Sequence, residues 1–307
     1  MSPFKGIALK LISVILFVIM SALIKATSDH VPPGQAVFFR SFFAIPVILG
    51  WLALRGDLQT GLRVKSPMGH FWRGFVGTAA MGLIFGGLGL LPLPEVTALS
   101  YAAPLLTVVF AAMFLDERVG VFRFGAVALG LMGVLVVLSP RMSALAGETV
   151  ETVQAVGAVM VLLGATCAAL AHIYIRKMVA TEQTSAIVFY FSLTSTLLSL
   201  LTIPFGWVIP GTTEIILLIL AGLLGGSAQI FMTSAYRFAD ASVVAPFDYA
   251  SMLFALLIGY FVFSEVPTMQ MLIGAALVIV AGLVIILRER HLGLKRGRAR
   301  SARTPQV

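Results

Sequence analysis

Hydrophobic residues fall along this chain in long blocks, broken by Pro, Gly and charge, and show neither the alternation of a half-buried strand nor a single amphipathic stripe. A helix that is apolar all round lies in a large core or crosses a membrane. The blocks run about 20 residues, the length that spans a hydrocarbon core of about 30 Å at roughly 1.5 Å per residue. They lie at 6–25, 35–54, 70–91, 94–115, 120–138, 154–177, 184–208, 213–237, 242–263 and 267–287. The pattern predicts an all-α membrane protein with ten transmembrane helices. The longest connections, 55–69 and 139–153, leave no room for a soluble catalytic domain. The first run, with Lys5 and Lys10 at its start, has the outline of a signal peptide, but it lacks a small-x-small cleavage site and has a counterpart later in the chain; it reads as a helix.

Composition agrees with the pattern: 59% of the 307 residues are hydrophobic and 11% charged, a balance that excludes an ordinary soluble domain. The single Cys167 rules out an intramolecular disulfide, and His30, His70, His172 and His291 are too scattered for a metal-ligand pattern. No metal and no cofactor is expected, and no nucleotide-binding loop is visible.

Charge sets the orientation. Lys5, Arg55, Arg63, Lys65, Arg73, Arg118, Arg123, Arg176, Lys177, Arg237 and the tail "RERHLGLKRGRARSAR" fall on one side, while Arg141 and the borderline Lys25 fall on the other. Cytoplasmic loops carry the excess of Lys and Arg, so both termini are expected in the cytoplasm and the net charge of +8 is mostly a topology signal. The basic tail, 288–307, reads as a solvated anchor near anionic membrane lipid, with no nucleic-acid partner expected.

The chain also repeats itself. "YAAPLLTVVFAAMFLDE" (101–117) lies over "YASMLFALLIGYFVFSE" (249–265), so Tyr101 meets Tyr249 and Glu117 meets Glu265. Gly74 and Gly77 fall on Gly222 and Gly225 at the same offset, and Gly6 and Lys25 match Gly157 and Arg176. Five spans per unit is an odd number, so the second unit enters the membrane from the opposite side. The expected organisation is a first repeat at 1–138, a periplasmic linker at 139–153, an inverted second repeat at 154–287 and the tail. Inverted repeats give transporters two near-equivalent conformations around a site near the midplane.

"TALSYAAPLLTVVFAAMFLDE" and "ASVVAPFDYASMLFALLIGYFVFSE", each followed by a glycine-spaced helix, resemble the two EamA-type repeats of the drug/metabolite transporter superfamily over nearly the whole chain. The resemblance implies a ten-helix carrier of the bacterial inner membrane with a central cavity lined mainly by the third, fourth, eighth and ninth helices. Its relatives export amino acids and related metabolites or import riboflavin or S-adenosylmethionine. The implied function is a secondary transporter working by alternating access, with broad amino-acid export favoured and import of riboflavin, S-adenosylmethionine or another metabolite as the alternative. The partner is a small-molecule substrate, and a monomer suffices. An enzyme would need a nucleophile-base pair or a metal cluster at one depth, and a channel would need a continuous polar pore; both are disfavoured.

Ionisable groups inside a membrane face the bundle interior or a wet cavity. Counted by depth, Lys25, Arg40, Glu95, Ser100 and Tyr101 fall toward the periplasmic end, and His172, Arg176, Tyr190, Asp248 and Tyr249 toward the cytoplasmic end. Lys25, Glu95, His172, Arg176, Tyr190 and Asp248 are candidates for gating or proton coupling, with Asp248 expected to meet His172 or Arg176 when the cytoplasmic side is shut. The same residues also read as fixed helix contacts worth about 0.6 kcal/mol each. Arg40 offers a planar fork that fits a carboxylate, or it pairs with Glu95. Arg40, Met81, Ser100, Tyr101, Gln229 and Tyr249 form the candidate substrate cavity. Gly74, Gly77, Gly222 and Gly225 either tighten helix packing or open that cavity. Pro104 and Pro246 remove backbone donors and are expected to kink their helices or start them.

Overall fold

A computed structural model describes residues 3–58, 60–114, 121–144, 149–178, 181–238 and 245–301. Glu117 of the repeated motif, Ser242, residues 145–148 of the linker and the last six residues lie outside the described residues. The described chain is helical: α1 Pro3–Lys25, α2 Pro33–Phe42, α3 Ala44–Leu54, α4 Pro67–Leu90, α5 Leu93–Ser100, α6 Ala102–Phe114, α7 Val121–Ala144, α8 Thr149–Met178, α9 Thr184–Leu200, α10 Thr212–Phe238, α11 Ala250–Phe263 and α12 Met269–Ser301.

Prolines place the interruptions. Pro46 and Pro104 sit in the first turns of α3 and α6, where a missing N–H costs little. The carbonyls four residues earlier, of Phe42 and Ser100, have no donor to receive from them, and the second and fourth spans break at Phe43 and Tyr101. Pro246 lies within a 3₁₀ turn, Ala245–Tyr249, that leads into α11. The seventh span is shorter than its hydropathy suggests: α9 ends at Leu200, because Pro204 occupies a 3₁₀ turn and Gly206 takes a left-handed φ of 94°. Ser66 starts α4, its hydroxyl accepting from the Gly69 amide, with Pro67 at the first helical position.

Six segments are long and apolar enough to cross a membrane: Phe4–Lys25, Pro33–Leu54, Pro67–Leu90, Leu93–Phe110, Thr152–Ile175 and Thr212–Met232. The shorter apolar helices Phe124–Ser139, Thr184–Leu200, Phe247–Phe263 and Met269–Ile285 occupy the other expected spans. Large apolar side chains stand on the outside, among them Phe71, Phe75, Leu163, Leu257 and Phe261, as a surface facing lipid tails requires.

The most extensive helix pairings are α1 with α10, α4 with α8 and α7 with α12, while α9 packs against both α2 and α4. Small residues permit these approaches. A Cβ on Gly274 would lie 2.6 Å from the carbonyl oxygen of Gly133, so α7 and α12 cross backbone to backbone there. Leu88, Leu91, Leu99, Leu105, Val161 and Leu218 belong to a single buried cluster inside the bundle.

Candidate functional site

Two guanidinium groups lie inside the bundle. Arg40, on α2, is 5% exposed, and Arg73, two turns into α4, is 7% exposed. Both approach the ring of Phe191 on α9, with Cζ of Arg73 3.7 Å and Cζ of Arg40 5.5 Å from its centroid. Cation–π attraction is worth about 2 kcal/mol or more when desolvated, but it satisfies no N–H. Among the described residues, Nε of Arg40 and both Nε and Nη1 of Arg73 are buried and donate to no acceptor. Among the described residues no carboxylate makes an ion pair with either group.

Glycine makes the space. A Cβ on Gly77 would stand 2.6 Å from Nη1 of Arg73, and one on Gly225 would stand 3.2 Å from Nε of Arg40. Gly74 and Gly222 do the packing instead, against Thr194 and Phe43. The wall supplied by α9 is hydroxyl-rich: Ser192, Ser195, Thr196 and Ser199 are buried, Ser195 lies 2.8 Å from the Thr78 hydroxyl, and Thr196 donates to the Ser192 carbonyl. The Ser41 hydroxyl, beside Arg40, is buried without a partner. Two cations, free donors and short hydroxyls therefore share a water-poor region crossed by α2, α4 and α9, an arrangement suited to an anion.

Each end of the bundle is tied across the two halves of the sequence. At one end Lys25 donates to the carbonyls of Leu88 at 3.0 Å and Leu91 at 2.6 Å and pairs with Glu265 at 3.0 Å, whose other oxygen accepts from the Leu93 amide. Gln35 exchanges two hydrogen bonds with the Val208 backbone, and His30 meets Glu214 at 3.0 Å. At the other end Glu182, between α8 and α9, accepts from the amides of Lys65 and Ser66 and faces His70 at 3.5 Å. Ser185 donates to the Gly61 carbonyl and Tyr190 to that of Leu62. Burial pushes the Glu182 carboxyl upward, but the Ser66 and Lys65 amides and His70 outweigh it and hold the group below the usual carboxylate range.

Between the ends, Asp248 pairs with Lys10 of α1 at 2.7 Å, and Lys10 is almost fully buried. Tyr101 and Tyr249 meet edge to face, centroids 5.1 Å apart, and the Tyr101 hydroxyl lies 2.6 Å from that of Ser251. The Tyr249 hydroxyl presses directly on Gly282 of α12.

Several expectations are revised by this geometry. Among the described residues the ion pair of Asp248 is with Lys10: the 3₁₀ turn at 245–249 lies against α1, whereas His172 is an exposed residue of α8. The side chain of Arg176 and that of Pro246 lie outside the described residues. Arg40 takes Phe191, and not Glu95, as its neighbour; Glu95 is buried in the first turn of α5. Tyr101 and Tyr249, expected at opposite depths, touch: α11, which starts after Tyr249, packs against α5, which ends before Tyr101. Tyr190 belongs with His70, ring centroids 5.1 Å apart, at the Glu182 end. Ser100 spends its hydroxyl on the Val96 carbonyl, Met81 packs on the core, and Gln229 is half-buried on α10. Pro104 turns outward.

Lys10, Arg73 and Phe191 escaped the sequence reading. In the sequence Arg73 reads as a loop cation because the third apolar run opens near it. Depth measured from the helix-start signal at Ser66–Pro67 places it about two turns inside.

A cleft of about 200 Å³ opens between α1, α2, α4 and α8, lined by Ile24, Pro33, Ala36, Phe85, Gly86 and Met160 among others. Ala36 stands one helical turn from Arg40, on the side toward Lys25.

The EamA-like transporter family matches residues 4–139 and again residues 155–288. A pseudopaline exporter of Pseudomonas aeruginosa is 31% identical, over 90% of this chain and 94% of its own. An S-adenosylmethionine uptake transporter of Rickettsia prowazekii is 27% identical over 93% of each chain. An uncharacterized transporter of Helicobacter pylori is 30% identical over 92% of this chain and 94% of its own. One solved crystal structure covers 94% of this chain and 98% of its own with a TM-score of 0.66 at 21% identity, a likeness of fold.

Proposed function

The chain belongs to the EamA-like transporter family and is a multi-pass membrane transporter, not an enzyme; from that premise we propose that it carries a small metabolite across the bacterial inner membrane by alternating access. The carrying observation is that the ties at both ends join the first half of the chain to the second: Lys25 to Glu265 at one, Glu182 to Lys65 and Ser66 at the other. Breaking one set while keeping the other opens the interior to one side.

The repeat supports this reading. Exchanging the halves turns the pairing of the first and eighth spans (α1 with α10) into that of the sixth and third (α8 with α4), and leaves the fifth and tenth (α7 with α12) paired with each other. Tyr101 and Tyr249, equivalent under the exchange, meet in space as residues beside a two-fold axis do. With the inverted arrangement and the loop charges, both termini lie in the cytoplasm and the Lys25 end is periplasmic.

We take export of amino-acid-like metabolites as the first reading, since the interior carries carboxylate-fitting guanidiniums beside hydroxyls. The second is uptake of S-adenosylmethionine, the activity named for relatives of three Rickettsia species that align over 83–93% of their length. Counterflow in proteoliposomes tests both: preloading with unlabelled substrate should accelerate entry of the labelled form and saturate, first for a panel of amino acids and then for S-adenosylmethionine. Linear, unsaturable flux of every solute would remove the carrier mechanism.

A further inference from the structure

We infer that Arg40 and Arg73 together form an anion site whose ligand carries two carboxylates and a net negative charge. The inference deepens the transport reading and rests on it for the route by which the ligand arrives. A lone carboxylate needs one guanidinium fork; this region holds two, each more than nine-tenths buried, with Nε of Arg40 and Nε and Nη1 of Arg73 unpartnered. Two like charges held together in a dry interior repel each other and have lost their hydration, so the arrangement is stabilised most by a ligand that brings two negative charges. A zwitterion neutralises neither excess charge, and a cation adds to it. Because both Cζ atoms lie against one ring, they are at most about 9 Å apart, a distance that two carboxylates on a short carbon chain can bridge. The Ser41 hydroxyl, buried without a partner, remains for a neutral polar group of the ligand, while Ser195, Thr196 and Ser199 are already bonded to Thr78 and to α9 carbonyls.

The test uses the full chain in proteoliposomes, with labelled glutamate, glutarate, glutamine and S-adenosylmethionine, and in detergent with thermal denaturation. Glutamate and glutamine match in size and differ in the second charge. Glutamate is expected to exceed glutamine by about tenfold or more in counterflow, the consequence of one charge-assisted interaction. Glutarate should raise the melting temperature of the wild type and not that of Arg73→Lys, which keeps the charge and loses the fork. Arg40→Lys should lower the glutamate preference likewise. Counterflow of glutamine or S-adenosylmethionine, with neither movement of nor stabilisation by the two dianionic-site probes, overturns the anion site and leaves the carrier intact. If none of these four solutes moves, both substrate readings fail, and glutarate stabilisation still decides the site: a shift present in wild type and absent in Arg73→Lys supports it, and no shift overturns it. The wild-type comparisons need no variant to fold.

Discussion

At the residue scale, charges inside the bundle divide by the kind of partner they have. Lys10 has Asp248, Lys25 has Glu265 and two carbonyls, and Glu182 has two amides on one oxygen and faces His70 at 3.5 Å, beyond a good hydrogen bond, with the other. Arg40 and Arg73 have an aromatic face and free donors. A buried donor left unpaired costs about 1–3 kcal/mol; the His70 ring nitrogens are also buried without a hydrogen bond but have a carboxylate 3.5 Å away, whereas among the described residues Arg40 and Arg73 have none. Glu182 carries a pH prediction. Its carboxyl sits below the usual carboxylate range in the folded chain, so its stabilising contribution is present above the unfolded value and lost as pH falls through the folded one. The contribution should be complete above about pH 5 and decline below about pH 4. Hydrogen exchange at residues 61–66, corrected for intrinsic rates, should accelerate on acidification in the wild type; Glu182→Gln should exchange quickly at neutral pH with no further acid step. Equal protection in both proteins at neutral pH would show that the carboxylate does not hold that loop. Arg73 shows why this level was only partly legible in the sequence. A cation near the start of an apolar run looks like a loop charge until the helix start is fixed, and Phe191 is one of 22 phenylalanines with nothing local to mark it.

At the element scale, the positions of the helices were legible because a span must be long and apolar, a constraint written into local composition. Their breaks were legible in part. Pro104 points to the interruption at Tyr101, but the early end of α9 depends on Pro204 and Gly206 taking a tight turn that hydropathy does not register. Which glycine packs and which makes room for a side chain is a tertiary fact: Gly74 and Gly77 sit three apart on α4, yet one meets Thr194 and the other Arg73 and Phe191. The α7–α12 crossing gives a prediction here. Gly274 faces the Gly133 backbone, which cannot rotate aside, so Gly274→Leu should destabilise the protein by about 2–3 kcal/mol through overpacking. Gly50, with nothing within 4 Å of its would-be Cβ, should accept Ala and gain up to about 1 kcal/mol of helix propensity. Thermal denaturation in one detergent measures both, and equal melting temperatures for the two variants would contradict a close crossing.

At the scale of the whole molecule, the two sets of ties make opposite predictions, and this is what separates a gate from fixed packing. Lys25 and Glu265 are each 14% exposed, so Lys25→Met leaves a largely buried carboxylate with the Leu93 amide alone and frees the Leu88 and Leu91 carbonyls. Removing one partner of a buried pair costs about 3–5 kcal/mol, and partial exposure reduces that to about 1–3 here. If the cost falls on the state closed at that end, the population open there rises by about tenfold or more. Accessibility reads it directly. In a Cys167→Ser background, Ser195→Cys places a thiol in the interior beside Thr78, at a position closed to solvent. A membrane-impermeant maleimide should label it faster from the Lys25 side in Lys25→Met, and faster from the opposite side in Glu182→Gln. Equal changes from both sides would mean general loosening, and no change would make the ties fixed contacts. The opposite signs follow only if one interior is served by two ends that open in turn, each fastened by bonds between the halves.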